Sequence, residues 1–146
     1  MATTYVSGDR KLVSCPVDVA YTILKGEMLE FVVDDVRALD EMGDSGTKAQ
    51  NQAAARDLFI GVAAKSSTLG VPSSIPVATS GVFEFDCASA TYEVGDLVGP
   101  TGTGGGGADG VSSSSVEAVA AANLAIGRVY KRVPVAATRV QVAIES

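Results

Sequence analysis

The chain has 146 residues, of which 47% are hydrophobic and only 5% aromatic, with a formal net charge of −6 and no histidine or tryptophan. This length fits one domain around a single core, and the scarcity of aromatic side chains predicts a thin core rich in Ala and Val. The negative charge argues against a nucleic-acid binder, because phosphate binding needs clustered Lys and Arg. Without histidine, Ser and Cys nucleophiles lack their usual base, so we expect no catalytic residue and no enzyme activity.

The first 20 residues are predicted to form an extended N-terminal arm. Pro16 removes a backbone donor and favours extended geometry at Cys15, which argues against a helix. The alternative is a tail that is disordered in the free protein and orders on binding. No basic and apolar leader begins the sequence, so we expect no secretory signal. Four apolar residues of the arm are interface candidates: Tyr5, Val6, Leu12 and Val13.

The rest of the chain, 21–146, is predicted to form a single β domain, a small β-barrel or sandwich of about eight short strands with one short helix. The helix is expected over 48–57 with Thr47 as its cap. Gly, Pro and Asp residues bound the strand candidates. These candidates are 21–24, 27–33, 58–64, 75–78, 81–85, 94–98, 126–130 and 138–144. Among them, 75–78 and 81–85 are expected to pair with each other, and the Asp34-Asp35 pair is expected to mark a turn.

Charge is distributed unevenly along the chain. Seven carboxylates lie between Glu27 and Asp44, where Arg37 is the single cation. The C-terminal part is basic, with cations at Arg128, Lys131, Arg132 and Arg139. These regions are either two solvated surface patches or complementary patches that meet between subunits. On the second interpretation, Arg128 and Arg132 are further interface candidates.

The motifs that commonly indicate a cofactor are absent or incomplete. A Gly/Ser-rich surface loop is predicted at 101–115, but Gly110 is followed by Val111 and Ser112 rather than by the Lys and Ser/Thr of a phosphate-binding loop. Two isolated cysteines, Cys15 and Cys87, cannot supply a four-ligand zinc site, and they are expected to be free, buried thiols in a reducing cytoplasm. The spacing of the acids matches no calcium-binding loop. We therefore expect no metal and no cofactor. Since no run of 18 apolar residues occurs, we expect no membrane partner.

Several short motifs follow one another in a characteristic order. They are Ala-Ala-Ala-Arg-Asp-Leu-Phe-Ile-Gly-Val-Ala at 53–63, Gly-Val-Phe-Glu-Phe at 81–85, Val-Gly-Asp-Leu-Val at 94–98, Ala-Ile-Gly-Arg-Val at 125–129 and Val-Gln-Val-Ala-Ile at 140–144. In this order the chain, over about 20–146, resembles the small β-barrel type of bacteriophage capsid decoration (cement) proteins. The Gly/Ser-rich insertion at 102–115 departs from that pattern.

The resemblance implies a structural virion protein, made in the host cytoplasm, that binds the major capsid protein on the outer surface of the capsid. It implies a homotrimer that sits where capsomers meet and reinforces the shell, with no nucleic acid or membrane as partner. One alternative is another virion module, such as a tail or fibre base. A small-molecule-binding β-barrel or hydrolase is a further alternative, and it would require a pocket with converging polar groups.

Overall fold

The computed structural model describes residues 3–44, 46–102 and 110–145, and the fold is mainly β with one short α-helix. The described part of the chain contains these strands and this helix: β1 (Thr4–Ser7), β2 (Leu12–Pro16), β3 (Met28–Val32), β4 (Asp35–Ala38), α1 (Lys48–Leu58), β5 (Phe59–Ala63), β6 (Ser74–Ala78), β7 (Ser80–Tyr92), β8 (Leu97–Gly102), β9 (Val111–Ala118), β10 (Gly127–Val129) and β11 (Val133–Glu145). The predicted fold class, a small β-barrel or sandwich, is confirmed.

Five strands close into a barrel. The order β7-β11-β10-β8-β9 is antiparallel throughout, and β9 returns to β7 in parallel, with Asp86 opposite Ser115 and Cys87 opposite Val116. The N-terminal half of β7 pairs on the same side with β1 instead. One edge of β7 therefore carries two different strands in succession, and β1 is left as the outer strand of this sheet.

The remaining strands form a second sheet in the order β2-β6-β5-β3-β4. Its two outer strands approach each other at one parallel bridge between Val17 and Val36. Inside this curved sheet lies a small apolar cluster, which contains Cys15, Val17, Ile23, Leu29, Val36, Ala63, Ile75 and Val77. The second sheet thus has a core of its own.

The core of the barrel comes from strict alternation along its two longest strands. Phe83, Phe85 and Cys87 of β7 are buried, while the polar residues between them are partly exposed. On β11, the buried residues are Val140, Val142 and Ile144. Because side chains alternate between the two faces of a strand, this period of two places these six residues inside the barrel.

Helix α1 is the element that the sequence predicted most closely. Thr47 accepts a hydrogen bond from the Gln50 backbone, and the Gln50 side chain accepts one from the Thr47 backbone, which completes a capping box. The buried face of the helix includes Gln52, whose side-chain amide donates to the Pro100 carbonyl at 3.0 Å. The helix contacts β8, β9 and β3, so it ties the barrel to the second sheet.

The segment predicted as an N-terminal arm is extended, but it pairs with the chain's own sheets. β1 lies against β7 in the barrel sheet, and β2 lies against β6 in the second sheet. Cys15 and Val17 are buried, so this segment helps to form the second core. Within one chain, residues 4–7 and 12–16 are therefore strands of the domain rather than a projecting arm.

Other sequence predictions differ from the structure in their pairing. The strands at 75–78 and 81–85 form, but β6 pairs with β2 and β5 whereas β7 pairs with β1 and β11, because the chain passes from one sheet to the other at Thr79. Residues 21–24 are not a strand.

Of the predicted Gly/Ser-rich loop at 101–115, residues 111–115 belong to β9, and 103–109 lie outside the described residues. The serines belong to a strand because this segment pairs with β8 and, from Ser115, with β7, and Ser113 is buried.

The two cysteines are buried and free, as predicted. Cys15 belongs to the core of the second sheet, and Cys87 belongs to the core of the barrel. Burial raises the pKa of both thiols, which disfavours the reactive thiolate.

Gly127 lies where two backbones approach closely. A Cβ at this position would be 2.2 Å from the Ala143 carbonyl oxygen. Gly127→Ala is therefore expected to lower the free energy of unfolding by about 3 kcal/mol, as overpacking does, because β10 and β11 must separate. Urea denaturation measures the difference. Gly43→Ala is the matched control, since nothing lies within 4 Å of a Cβ there; equal loss in both variants would contradict the explanation.

Candidate interaction surface

The first candidate surface is β1, where the predicted residues Tyr5 and Val6 lie. The ring of Tyr5 packs edge-on against Phe83 at 5.5 Å between centroids, its hydroxyl donates to the Gly8 carbonyl at 2.6 Å, and the Arg10 guanidinium carbon lies 4.7 Å from the ring centroid. Tyr5 nevertheless stays 38% exposed, and Val6 is 39% exposed. The pairing of β1 with β7 shifts register between Tyr5 and Ser7, which leaves Val6 as the extra residue of a β-bulge, and both side chains are open to solvent.

The same is true of the start of β2. Leu12 and Val13 are 47% and 37% exposed, although they are neighbours in sequence and face opposite sides of the sheet. Only from Cys15 onward does the strand enter the core. The four apolar residues predicted from the sequence therefore lie on two consecutive outer strands of the two sheets.

The basic candidates Arg128 and Arg132 lie in different clefts. Arg128 donates to the Gly95 carbonyl at 3.0 Å and lines a small hollow that also contains Arg56. Arg132 forms an exposed ion pair with Glu93 at 2.9 Å. It lines a cleft of about 210 Å³ on the outside of the barrel together with Glu84, Lys131, Val133, Pro134, Ala137, Arg139 and Gln141. The structure therefore does not join these two arginines in one site.

Arg139 is at the centre of the larger cleft and is well paired. It donates to the Glu84 carboxylate at 2.9 Å and to the Asp86 carboxylate at 2.7 Å, and its side chain is only 16% exposed. Burial by itself would raise the pKa of Asp86, but the hydrogen bond and charge of Arg139 outweigh burial, so that pKa is lowered. Arg139 thus cross-links β7 and β11 on the outer face of the barrel.

The acidic region between Glu27 and Asp44 is not a uniform solvated patch. Glu30 is fully buried and forms an ion pair with Arg37 of the neighbouring strand. Arg37 also lies 5.4 Å from the centroid of the Tyr21 ring. Glu27 accepts hydrogen bonds from the Leu24 backbone at 2.7 Å and from the Ser113 hydroxyl at 2.6 Å. Several of these carboxylates therefore hold the fold together.

Sequence reasoning missed the exposed turn between β3 and β4. Val32 pairs with Asp35, so the turn residues are Val33 and Asp34 rather than Asp34 and Asp35. Val33 is 85% exposed, and Phe31 is 39% exposed. The signal in the sequence was the apolar pair Val32-Val33 directly before two acids, which places an apolar side chain in a turn.

A cleft of about 370 Å³ lies between the Leu24–Glu27 segment and β9. It is lined by Thr3, Leu24, Lys25, Gly26, Glu27, Asp40, Ser113 and Ser114. The Glu27 carboxylate in it is already occupied by two hydrogen bonds. Across residues 3–44, 46–102 and 110–145, no three His, Cys, Asp or Glu side chains are grouped so that they could hold a metal ion.

Comparison with known proteins adds no relative. No protein-family model and no curated protein matches this chain. Within the described residues, no helix has the length and apolar character needed to cross a membrane.

The two arginines of the basic cleft are expected to differ in their effect on stability. Arg139→Ala should lower the free energy of unfolding by about 1–3 kcal/mol, because it removes charged hydrogen bonds to two partly buried carboxylates. Arg132→Ala should change it by less than about 1 kcal/mol, because its ion pair with Glu93 is largely exposed. Urea denaturation of both variants makes the comparison. Equal effects would show that burial does not set the strength of these pairs.

Glu30 is expected to make stability depend on pH. Burial raises the pKa of Glu30, although the hydrogen bond and charge of Arg37 act in the opposite direction. The folded chain therefore keeps this proton over a pH range in which the unfolded chain, with a pKa of about 4.3, has released it. The contribution of the group to stability is greatest below that pH and declines as the pH rises through the folded pKa.

Glu30→Gln isolates this effect, since the amide keeps the shape but does not titrate. The difference in unfolding free energy, wild type minus variant, should decrease as the pH is raised from 4 to 7, by at most about 1.4 kcal/mol per pH unit. Chemical denaturation at four pH values measures it. A difference that stays constant or rises with pH would contradict the raised pKa.

Proposed function

We propose that this chain is a structural virion protein that binds the outer surface of a bacteriophage capsid as a homotrimer and stabilises the contacts between capsomers. The observation that carries this proposal is β1, an outer strand that exposes both Tyr5 and Val6. An outer strand also offers unpaired backbone groups, to which an extended segment of another protein can add.

The geometry of β1 suits a permanent contact. Tyr5 is held between Phe83 and Arg10, so its exposed part is already fixed before binding. A side chain that is ordered in advance loses little conformational entropy on binding, and aromatic residues are common anchors of interfaces. In the folded chain β1 is also pinned to β7, so force on β1 would pass directly into the barrel.

The motifs that carry the resemblance support the proposal because they build one structure. The motif at 81–85 is part of β7, the motif at 125–129 leads into β10, and the motif at 140–144 is part of β11. The motif at 94–98 enters β8. These four strands are connected neighbours in the barrel. The motif at 53–63 spans the end of α1 and the whole of β5, which lies in the second sheet rather than in the barrel.

Binding to purified capsids that lack this chain tests the proposal. The full chain is expected to pellet with expanded capsids and to saturate them. Val6→Lys should weaken the apparent affinity by about 10-fold or more, because a charged side chain would be buried in the contact. Val94→Lys is the matched control, since Val94 is an exposed valine in the turn between β7 and β8.

The outcomes separate the candidate functions. Loss of pelleting for Val6→Lys alone supports the β1 contact. A wild-type chain that ignores capsids overturns the proposal; if it then forms rings or fibres by itself, a tail or fibre-base module becomes the better candidate. Equal weakening by both variants would show that β1 is not the contact.

A further inference from the structure

The turn between β3 and β4 is strained in a way that the free chain does not need. Val33 has a φ of +58° and is the one non-glycine residue with a positive φ in the described part of the chain. Two-residue turns with a positive φ at their first position normally place Gly there. A β-branched residue in this conformation is a rare outlier that costs of the order of 1–3 kcal/mol. Strain of this kind is often kept where a residue has a function.

The turn is also held rigidly. Val32 and Asp35 are the pair that closes the turn, and two residues before Val32 lies Glu30, opposite Arg37 of β4. The buried ion pair of Glu30 and Arg37 joins β3 to β4. Arg37 in turn contacts Tyr21. Val33 therefore stands at the end of a well-supported hairpin. We refer to Phe31, Val33, Asp34 and Asp35 as the hairpin tip.

A surface of opposite charge lies at the start of β2. Leu12 and Val13 are exposed there, directly after the exposed cations Arg10 and Lys11. We refer to these four residues as the β2 edge. The structure shows no ion pair for the acids of the hairpin tip or for the cations of the β2 edge with any residue in 3–44, 46–102 or 110–145. Each surface thus combines two exposed apolar side chains with two charges of one sign.

The two surfaces lie on the same side of the molecule. β2 and β4 run parallel where Val17 meets Val36, so the residues before this bridge on both strands lie on one side of it. At about 3.3 Å per residue, Leu12 is about 16 Å before the bridge along β2, and Val33 stands in the turn that directly precedes β4. Complementary surfaces placed side by side can both contact other copies around a nearby symmetry axis.

We propose that the hairpin tip of one copy docks on the β2 edge of the next copy, so that Val33 packs on Leu12 and Val13 while Asp34 and Asp35 face Arg10 and Lys11. This contact rests on the homotrimer of the proposed function and names the residues that form it. It buries the exposed Val33 side chain on a partner. It also gives a reason why the turn has a strained valine at a position where an isolated hairpin would favour glycine.

Charge reversal tests the contact without capsids, by light scattering of the full chain. The wild type is expected at a multiple of the 14.8 kDa chain mass. Asp34→Lys/Asp35→Lys and Arg10→Glu/Lys11→Glu should each give monomers, because like charges then meet. The quadruple variant Arg10→Glu/Lys11→Glu/Asp34→Lys/Asp35→Lys should regain the wild-type mass, since each reversed hairpin tip then meets a reversed β2 edge at every contact of the ring. Lys131→Glu and Asp57→Lys are controls at exposed positions elsewhere and should keep the wild-type mass.

Val33→Gly gives an independent test that does not depend on charge. At a concentration where both proteins are monomers, the variant should melt a few degrees higher than the wild type, because glycine accepts the positive φ. Its self-association should nevertheless weaken by about 10-fold or more. A destabilising effect on folding alone could not produce this combination.

Failure of this contact can be told apart from failure of the proposed function. A monomeric wild type, charge variants that keep the wild-type mass, or a quadruple variant that stays monomeric would overturn the contact. If such a chain still pellets with capsids, the capsid-binding part of the proposed function stands. A chain that assembles as expected but ignores capsids would overturn the function and leave the contact intact.

Discussion

The pairing of β7 with β11 is the interaction on which the rest of this structure depends. The two strands run antiparallel from Ser80 opposite Glu145 to Tyr92 opposite Val133, and they are the longest in the described fold. β7 also pairs with β1 and β9, and β11 also pairs with β10. Their inward side chains form much of the barrel core, and each large apolar side chain that is fully buried contributes about 1.5–3 kcal/mol. A shift of this register by one residue would turn these side chains to solvent.

The candidate surfaces on β1 and β2 are held in place where the chain crosses twice between the two sheets, next to the start of β7. The chain passes from β1 to β2 and from β6 to β7 at the same place. There the Ser80 hydroxyl donates to the Asp9 carbonyl at 2.7 Å, and the Thr79 backbone donates to the Lys11 carbonyl at 2.9 Å. The exposed strands β1 and β2 are thus held in fixed relation to each other. A protein that reinforces a shell needs such rigidity, and this is how the proposed capsid and subunit contacts become parts of one body.

Local signals carried much of the fold prediction. The capping box at Thr47 and Gln50 depends on residues three positions apart, and the helix begins where it was expected. β11 was recognised because its apolar residues alternate, whereas β3, β5 and β10 were recognised as short runs of apolar, β-branched and aromatic residues bounded by Gly or Asp. The serines at the start of β9 gave no such signal, since their strand is defined by pairing with β8 and β7.

The candidate surface was predicted in part. Tyr5, Val6, Leu12 and Val13 were chosen as apolar residues outside the expected core, and the structure leaves them exposed. Their incorporation into two sheets was not predicted, because it depends on β6 and β7, which lie about 60 to 80 residues further along the chain. Glu30 was counted among surface acids, although burial beside Arg37 makes it part of the framework.

The sequence by itself determined the mainly β class, the position of the single helix, and the alternation of apolar residues along β11, because these follow from residues that are neighbours along the chain. Only the tertiary structure decided which strands are partners, that two cores exist, and that Val33 stands exposed at a strained turn. Those features depend on the closure of β9 onto β7 and on the bridge between Val17 and Val36, which join residues far apart in sequence. Such pairing is fixed by the burial of whole faces at once, and no local pattern records it.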